Sequence, residues 1–235
     1  MTRKITINDI TEDTARKFLI GSILGDMCLE KNKNIKARYD IVNTQSIIHE
    51  DYVQLKYSIF SKFWNCGKIG ISNNWGSNPD PNLRKAKRFR IYEADLIEYI
   101  LNVSYKDGRR KILDKELLSP EVMFFWYLDD GSLINGRCPS LRIGLKSFPD
   151  EEILRFIKDF NDKYDIEFIP EKPKSIGKIT RVFLNGQLKI LKFLELLEPF
   201  YDIIPKSLEY KFSPIIKNSD LREKYKRLIK NEVKK

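Results

Sequence analysis

The sequence predicts a mixed α/β protein of the α+β class, built from two halves that repeat one pattern. Each half begins with an apolar, helix-like run that ends in aspartate, FLIGSILGDMCLE at 18–30 and MFFWYLDDGSLI at 123–134. Short alternating segments and amphipathic helices then follow in both halves. A chain of 235 residues can bury a core in one large domain or in two smaller ones. We therefore expect two pseudo-symmetric αββαββα halves.

The first helix of each half has clear start signals. Thr11 can cap a helix with an acidic first turn, and apolar residues then recur at helical spacing up to Asp26. Ser119 and Pro120 begin a second helix in the same way, and it leads to Asp130. An aspartate at a helix C-terminus faces the negative end of the helix dipole. Its repetition at matching places predicts a compensating positive charge nearby.

The remaining elements also repeat between the halves. Alternating apolar residues predict strands, and apolar residues at helical spacing predict amphipathic helices. Turn-rich middles, with Asn, Gly and Pro, predict two hairpins. The predicted elements are strands at 37–45 and 140–147, helices at 49–64 and 149–164, hairpins at 68–93 and 166–186, and closing helices at 94–101 and 188–197.

The repeated order predicts where the two halves begin and end. The first half covers 8–104, and a linker at 105–120 leads to the second half at 121–212. The segment 213–235 is a basic C-terminal tail. Because identity between the halves is faint, this division depends on the order of elements.

The charge balance favours a polyanionic partner. The chain has 43 Lys+Arg against 33 Asp+Glu, which gives a formal net charge of +10. Such an excess favours nucleic acid and, less strongly, an anionic membrane surface. An ordinary basic soluble protein remains the alternative on charge alone. The 14 Phe, 11 Tyr and 3 Trp supply enough large apolar side chains for a folded core.

Cysteine and histidine usage excludes several classes of site. The three cysteines lie far apart without a CxxC pair, so neither a disulfide scaffold nor a zinc knuckle is indicated. The single histidine, His49, excludes chemistry that needs a histidine cluster. No apolar run has the length of a membrane span, and the N-terminus lacks an apolar signal core. We expect an intracellular protein of a bacterial cytoplasm or an organelle matrix that is not secreted and has no membrane partner.

The two motif helices resemble a known family. LIGSILGDM at 19–27 and MFFWYLDDG at 123–131 resemble the two copies of the LAGLIDADG motif in single-chain homing endonucleases. The resemblance extends over roughly residues 14–212, because the order of elements in both halves is similar too. In that family the motif helices pack at a pseudo-two-fold axis, and saddle-shaped antiparallel sheets lie on DNA.

The resemblance implies a site-specific endonuclease that makes a metal-dependent double-strand break in a long DNA target. Its last acidic motif residues bind divalent metal, which implies Asp26 and Asp130, and not Asp129, as catalytic metal ligands. The implied cofactor is Mg²⁺ or Mn²⁺, whose preferred ligands are oxygen atoms. The implied partner is double-stranded DNA, bound by a monomer.

Other catalytic positions follow from the same resemblance. Gln45 stands where members often keep a polar residue near the active-site water, and Lys146 stands at the matching junction of the second half. The closing segment at 204–212 implies Lys211 as an active-site lysine. Its first-half counterpart is predicted to be Lys111, with Arg110 as the second choice.

Small residues predict how closely the motif helices approach. Gly21 and Gly25 lie four positions apart and would allow close contact between the helices. In the second motif Phe125 takes the glycine slot, so we expect an asymmetric and less tightly packed seam. Met27 replaces the final glycine of the first motif. Neither change removes a metal ligand, so an active enzyme is expected.

Strand alternation predicts which side chains face nucleic acid. If Tyr39 and Ile41 face the core, their neighbours in the strand face outward. A two-stranded ribbon fits the major groove, where arginine can read guanine. The predicted DNA-binding residues are Lys36, Arg38, Asp40, Arg88, Arg90, Tyr92, Arg142, Lys172, Lys174 and Arg181.

Two binding functions are the alternatives to cleavage. An intron maturase would use the same scaffold to hold structured intron RNA, and the intact Asp26 and Asp130 disfavour a complete loss of cleavage. A non-cleaving DNA-binding regulator on this fold is the other. A helix-turn-helix protein fits less well, because no short helix pair dominates the basic segments.

Overall fold

A computed structural model of the chain describes residues 4–31, 39–73, 85–106, 109–111, 117–134 and 139–212. The predicted DNA-binding residues Lys36 and Arg38 and the predicted tail at 213–235 lie outside these ranges.

Two copies of one element order make up the fold. The first half contains α1 (Glu12–Leu24), β1 (Cys28–Lys31), β2 (Tyr39–Ser46), α2 (Glu50–Phe60), β3 (Gly70–Ser72), β4 (Ala86–Ile91) and α3 (Ala94–Ser104). A small hairpin follows, formed by β5 (Tyr105–Lys106) and β6 (Arg109–Arg110). The second half contains α4 (Pro120–Asp130), β7 (Gly131–Ile134), β8 (Ser140–Gly144), α5 (Asp150–Tyr164), β9 (Ile169–Glu171), β10 (Arg181–Asn185) and α6 (Gln187–Leu196).

Each half has an antiparallel sheet of four strands. The strand order is β1-β2-β4-β3 in the first half and β7-β8-β10-β9 in the second. The predicted α+β class with two αββαββα halves is therefore confirmed. Among the residues that the structure places, no helix has both the length and the apolar character that crossing a bilayer requires.

The predicted helix starts are confirmed in detail. The Thr11 hydroxyl accepts the backbone N–H of Thr14 at 3.3 Å, and α1 begins at the next residue after the cap. The Ser119 hydroxyl accepts the backbone N–H of Val122 at 3.4 Å, with Pro120 at the first helical position. These local bonds satisfy N–H groups that have no partner within the helix.

Helices α1 and α4 pack against each other in the centre of the core. A Cβ atom added at Gly21 would lie 2.2 Å from the carbonyl oxygen of Val122, and one at Gly25 would lie 2.4 Å from the Cβ of Asp129. Any side chain at these two positions would push the helices apart. The predicted close approach through Gly21 and Gly25 is therefore confirmed.

Phe125 makes the helix seam asymmetric, as expected from its place in the glycine slot. The predicted loose packing is not found, because Phe125 is fully buried and its ring contacts other aromatic rings. The ring centroid lies 4.4 Å from that of Phe18 and 6.1 Å from that of Tyr52. The large side chain therefore fills the space between α4 and α2.

We expect Gly21→Ala to destabilise the protein by about 1–3 kcal/mol, as overpacking of a core commonly does. The new methyl group would meet the main-chain carbonyl of Val122, which cannot rotate away as a side chain can. Urea titration of the variant and the wild type measures the difference in unfolding free energy. Gly70→Ala is the control, because no atom lies within 4 Å of its added Cβ. Equal stability of Gly21→Ala and wild type would contradict the close contact.

Candidate functional site

The C-terminal ends of α1 and α4 open into one pocket. Asp26 and Asp130, the two aspartates predicted as metal ligands, both line it, and its volume is about 420 Å³. Asp26 is exposed and Asp130 is partly buried. The structure thus brings together two carboxylates that come from opposite halves of the chain.

A third carboxylate, Asp129, lies beside them with its side chain fully buried. It accepts hydrogen bonds from the Tyr52 hydroxyl at 2.8 Å and from the Lys56 ammonium at 2.8 and 3.0 Å. It also accepts the backbone N–H of Asp26 at 3.2 Å. Gln45 completes the cluster, since its amide donates to Asp26 at 2.6 Å and to Asp129 at 3.3 Å. We call these five residues the Asp129 network.

Two cations hold the ends of the motif helices. Arg110 donates from β6 to the carbonyls of Ile23, at 3.2 Å, and Gly25 at the end of α1. Lys211 donates to the last carbonyls of α4, with the Leu128 oxygen at 2.5 Å. Cations at these positions offset the negative ends of the two helix dipoles. They supply the positive charge that the repeated aspartates predict.

Lys111, the predicted first-half active-site lysine, is not brought to the pocket. Its ammonium donates to the carbonyl of Asn102 in α3 at 2.9 Å, and Lys111 does not line the pocket. The neighbouring Arg110 points to the end of α1 instead. Of these two adjacent residues, Arg110 contacts the end of a motif helix, whereas Lys111 contacts α3.

Lys146 is also outside the pocket. The strand ladders define equivalent positions in the halves, Val42 opposite Cys28 and Arg142 opposite Ser132. Gln45 lies three residues after Val42, and Leu145 lies three residues after Arg142. The buried Leu145, and not the exposed Lys146, therefore occupies the place equivalent to Gln45. The expected equivalence was wrong by one residue.

Burial and crowding change the protonation of the carboxyls. Burial, followed by the charges of Asp26 and Asp129, raises the pKa of Asp130 to about 7, against the opposing effect of Arg110 and Lys211. The pKa of Asp129 is likewise raised to about 6, chiefly by burial and against the opposing charge of Lys56. The side chains of the site leave its negative charge incompletely compensated.

Four contributors to the site were missed by reasoning from the sequence. Lys56 and Tyr52 belong to the predicted helix at 49–64, where a lysine on the buried face is the only local signal. Asp129 was missed because the motif resemblance implies a role only for Asp130, the second aspartate of the DDG sequence. His49 lines the pocket, and burial, followed by the charge of Lys211, lowers its pKa.

The predicted DNA-binding residues of the first half form ion pairs on one face of its sheet. Arg90 donates to Asp40 at 2.9 Å and to Glu30 at 3.0 Å, and Arg88 also donates to Glu30. Asp40 was predicted to face outward, but its side chain is only 2% exposed because the pairing with Arg90 covers it. Tyr92 is partly buried just after β4.

The second-half candidates have a similar arrangement. The Nε atoms of Arg142 and Arg181 lie 3.9 and 3.2 Å from the Glu171 carboxylate. Lys172 pairs with Asp150 at 3.1 Å, and Lys174 is exposed. In both halves, therefore, a glutamate holds two arginines of the sheet near each other.

Comparison with protein families identifies the chain. A model described as the LAGLIDADG DNA endonuclease family matches residues 16–183, a range that includes Asp26 and Asp130. The chain belongs to the LAGLIDADG DNA endonuclease family. The predicted nuclease class is thereby confirmed, and the maturase and regulator alternatives are not favoured. No curated protein matches the sequence of this LAGLIDADG protein.

Solved structures share the fold. The homing endonuclease I-WcaI, bound to its DNA recognition sequence, is 18% identical, with 87% of this chain and 88% of that chain covered and a TM-score of 0.69. Full-length DUF199/WhiA from Thermatoga maritima is 14% identical, with 97% and 70% covered and a TM-score of 0.49. I-SmaMI bound to uncleaved DNA with calcium ions is 12% identical, with 87% and 92% covered and a TM-score of 0.47.

We expect Asp130→Asn to stabilise the metal-free protein at pH 8 but not at pH 4. Because the folded-state pKa of Asp130 is raised to about 7, the folded protein binds this proton more tightly than the unfolded chain does. Stability therefore falls as pH rises between the unfolded and folded pKa values, and each tenfold difference in proton affinity corresponds to about 1.4 kcal/mol. Asparagine does not ionise, so Asp130→Asn removes this loss of stability at high pH.

Urea titrations in EDTA at both pH values measure this effect. A stability difference between Asp130→Asn and wild type that is the same at pH 4 and pH 8 would contradict the raised pKa.

Proposed function

We propose that the chain makes a divalent-metal-dependent double-strand break at a specific, long DNA target. Asp26 and Asp130 hold the cation, which is Mg²⁺ or Mn²⁺. The convergence of these two carboxylates in one pocket, at the ends of two packed helices, is the observation that supports this function most directly. The family match to DNA endonucleases supports the same substrate class.

The residues of the pocket suit a hard divalent cation. Asp26, Asp129 and Asp130 all line the pocket. The pKa of Asp130 is raised first by burial and then by the negative charges of Asp26 and Asp129, which a cation would offset. Across the described ranges, no group of three or more His, Cys, Asp or Glu side chains is placed to hold a metal ion, so the proposal assigns only two carboxylates to the cation. Magnesium commonly binds through one or two carboxylates together with water and substrate phosphate. Once bound, such a cation polarises a phosphate oxygen and offsets charge on the leaving oxygen.

The protein's own side chains position water and stabilise phosphate charge. Gln45 lines the pocket and holds Asp26 by a hydrogen bond from its amide nitrogen, so its amide oxygen can orient solvent. Lys211 also lines the pocket, next to the carboxylates, and its ammonium supports the negative charge of a scissile phosphate. Arg110 takes the corresponding place at the end of α1, in preference to Lys111.

The two sheets are the proposed DNA-binding surfaces. I-WcaI is bound to its DNA recognition sequence in its structure, and this chain carries a net charge of +10. Arg88 and Arg90 in one sheet, and Arg142 and Arg181 in the other, are placed to contact base edges. Their glutamate partners fix the guanidinium groups, which favours specific contacts over loose phosphate binding. The chain contains both halves and so acts as a monomer.

We expect Asp26→Asn and Asp130→Asn each to abolish Mg²⁺-dependent cleavage while target DNA affinity stays nearly unchanged. Each change removes a ligand charge and preserves the size of the side chain. The target is first obtained by selecting cleaved sites from a random or host-derived DNA library with Mg²⁺. Cleavage assays and fluorescence anisotropy on that target then separate cutting from binding, and EDTA should stop cutting by wild type. Full cleavage by either variant would exclude the proposed metal ligands.

We expect DNA affinity to fall steeply with salt. Contacts with phosphates release counterions, so log K should fall with log salt by about 0.9 for each neutralised phosphate. Lys174→Gln, at an exposed predicted contact, should lower the slope by about one phosphate. Anisotropy titrations at several salt concentrations measure both slopes. A nearly flat salt dependence of wild type would contradict binding through the sheets.

A further inference from the structure

The Asp129 network contains an ion pair that no predicted role explains. The side chains of Asp129 and Lys56 are both 0% exposed, although Lys56 belongs to α2 and Asp129 to α4. Charges are costly to bury, and they persist where each finds a partner and further hydrogen bonds. Tyr52 and the Asp26 N–H supply those bonds to Asp129. The pair is therefore built into the end of the helix seam.

The hydrogen bonds run from this ion pair to a catalytic carboxylate. Both acceptors of the Gln45 amide are carboxylates, Asp26 at 2.6 Å and Asp129 at 3.3 Å. Asp129 also holds the main chain of Asp26 through its N–H. Asp26 is thus held at two points, its main-chain N–H and its carboxylate, although the residue is exposed.

The network has no equivalent in the second half, within the residues that the structure describes. Gly25 precedes Asp26 as Asp129 precedes Asp130, and Leu145 occupies the place equivalent to Gln45. The buried residues of α2 and α5 recur with the same spacing and match Val53 with Ile153, Lys56 with Phe156 and Phe60 with Phe160. Phe156 packs on Trp126, with ring centroids 5.2 Å apart, where the first half has a charge.

We propose that Asp129, Lys56 and Tyr52 are positioning residues that hold Gln45 and Asp26 in place for the cut of one DNA strand only. This inference depends on the proposed function and deepens it. The half that carries Gln45 has a site ordered by buried charge, whereas the matching positions of the other half are apolar. Only one of the two cleavage sites is therefore positioned by the buried ion pair. Loss of the ion pair slows the cutting of the strand at that site.

The test measures the cleavage rate of each strand separately. Target DNA is labelled at one 5′ end or the other, and rates are measured in single turnovers with the protein in saturating excess. The double variant Asp129→Asn/Lys56→Met removes both charges and keeps the sizes of the side chains. We expect unchanged DNA affinity and an accumulating nicked intermediate. The rate for one strand should fall by about 10- to 100-fold, as misplaced reacting groups commonly cause.

The exposed ion pair of Asp13 and Lys17 in α1 offers a matched control. Asp13→Asn/Lys17→Met carries the same chemical changes and should cut both strands at wild-type rates. Gln45→Leu is the second test variant and introduces the residue type that the other half has at this place. It should slow the same strand as the double variant, and it keeps the test decisive if the double variant fails to fold.

Equal slowing of the cleavage of both strands would overturn the proposal, because it would show that the ion pair stabilises the whole pocket and not one cleavage site. Wild-type rates on both strands in a folded double variant would overturn it as well. Cleavage by the wild-type protein is measured first. A wild-type protein that cuts neither strand would contradict the proposed function and not this inference. Thermal melts followed by circular dichroism establish which variants fold.

Discussion

The close contact of α1 with α4 is the constraint on which the rest of the structure depends. Gly21 allows the main chain of α1 to approach the Val122 carbonyl more closely than any side chain would permit. Both helices end at the same point, so Asp26 and Asp130 reach one pocket. The sheets and outer helices of the two halves pack around this pair.

Bringing two helix C-termini together concentrates negative charge. Three carboxylates and two sets of unpaired carbonyls would repel each other, and the protein answers with cations of different kinds. Arg110 and Lys211 bind the carbonyls, whereas Lys56 neutralises Asp129 inside the core. Removing one partner of such a buried pair costs about 3–5 kcal/mol, whereas surface pairs contribute about 0–1 kcal/mol. The carboxylates at the pocket mouth, Asp26 and Asp130, are the charges that these cations leave least compensated.

The two halves share an architecture and differ in the side chains behind the site. Phe125 fills the space beside α2 where the other motif has Gly21. A lysine, a tyrosine and a glutamine stand behind Asp26, whereas the equivalent sheet and helix positions of the second half carry Leu145 and Phe156. Equivalent backbone positions therefore carry different side chains in the two halves of an approximately symmetric fold.

The sequence by itself determined the order of elements, the caps at Thr11 and Ser119, and the aspartates Asp26 and Asp130. These features depend on hydrophobic periodicity and on hydrogen bonds between residues a few positions apart, so they can be read locally. Only the tertiary structure decided that Lys56 pairs with Asp129, that Arg110 and not Lys111 contacts the end of α1, and that Leu145 is equivalent to Gln45. Such pairings depend on strand register and on the direction of each side chain. Both are decided when elements far apart in the chain pack together, because a shift of one residue in a strand reverses its faces.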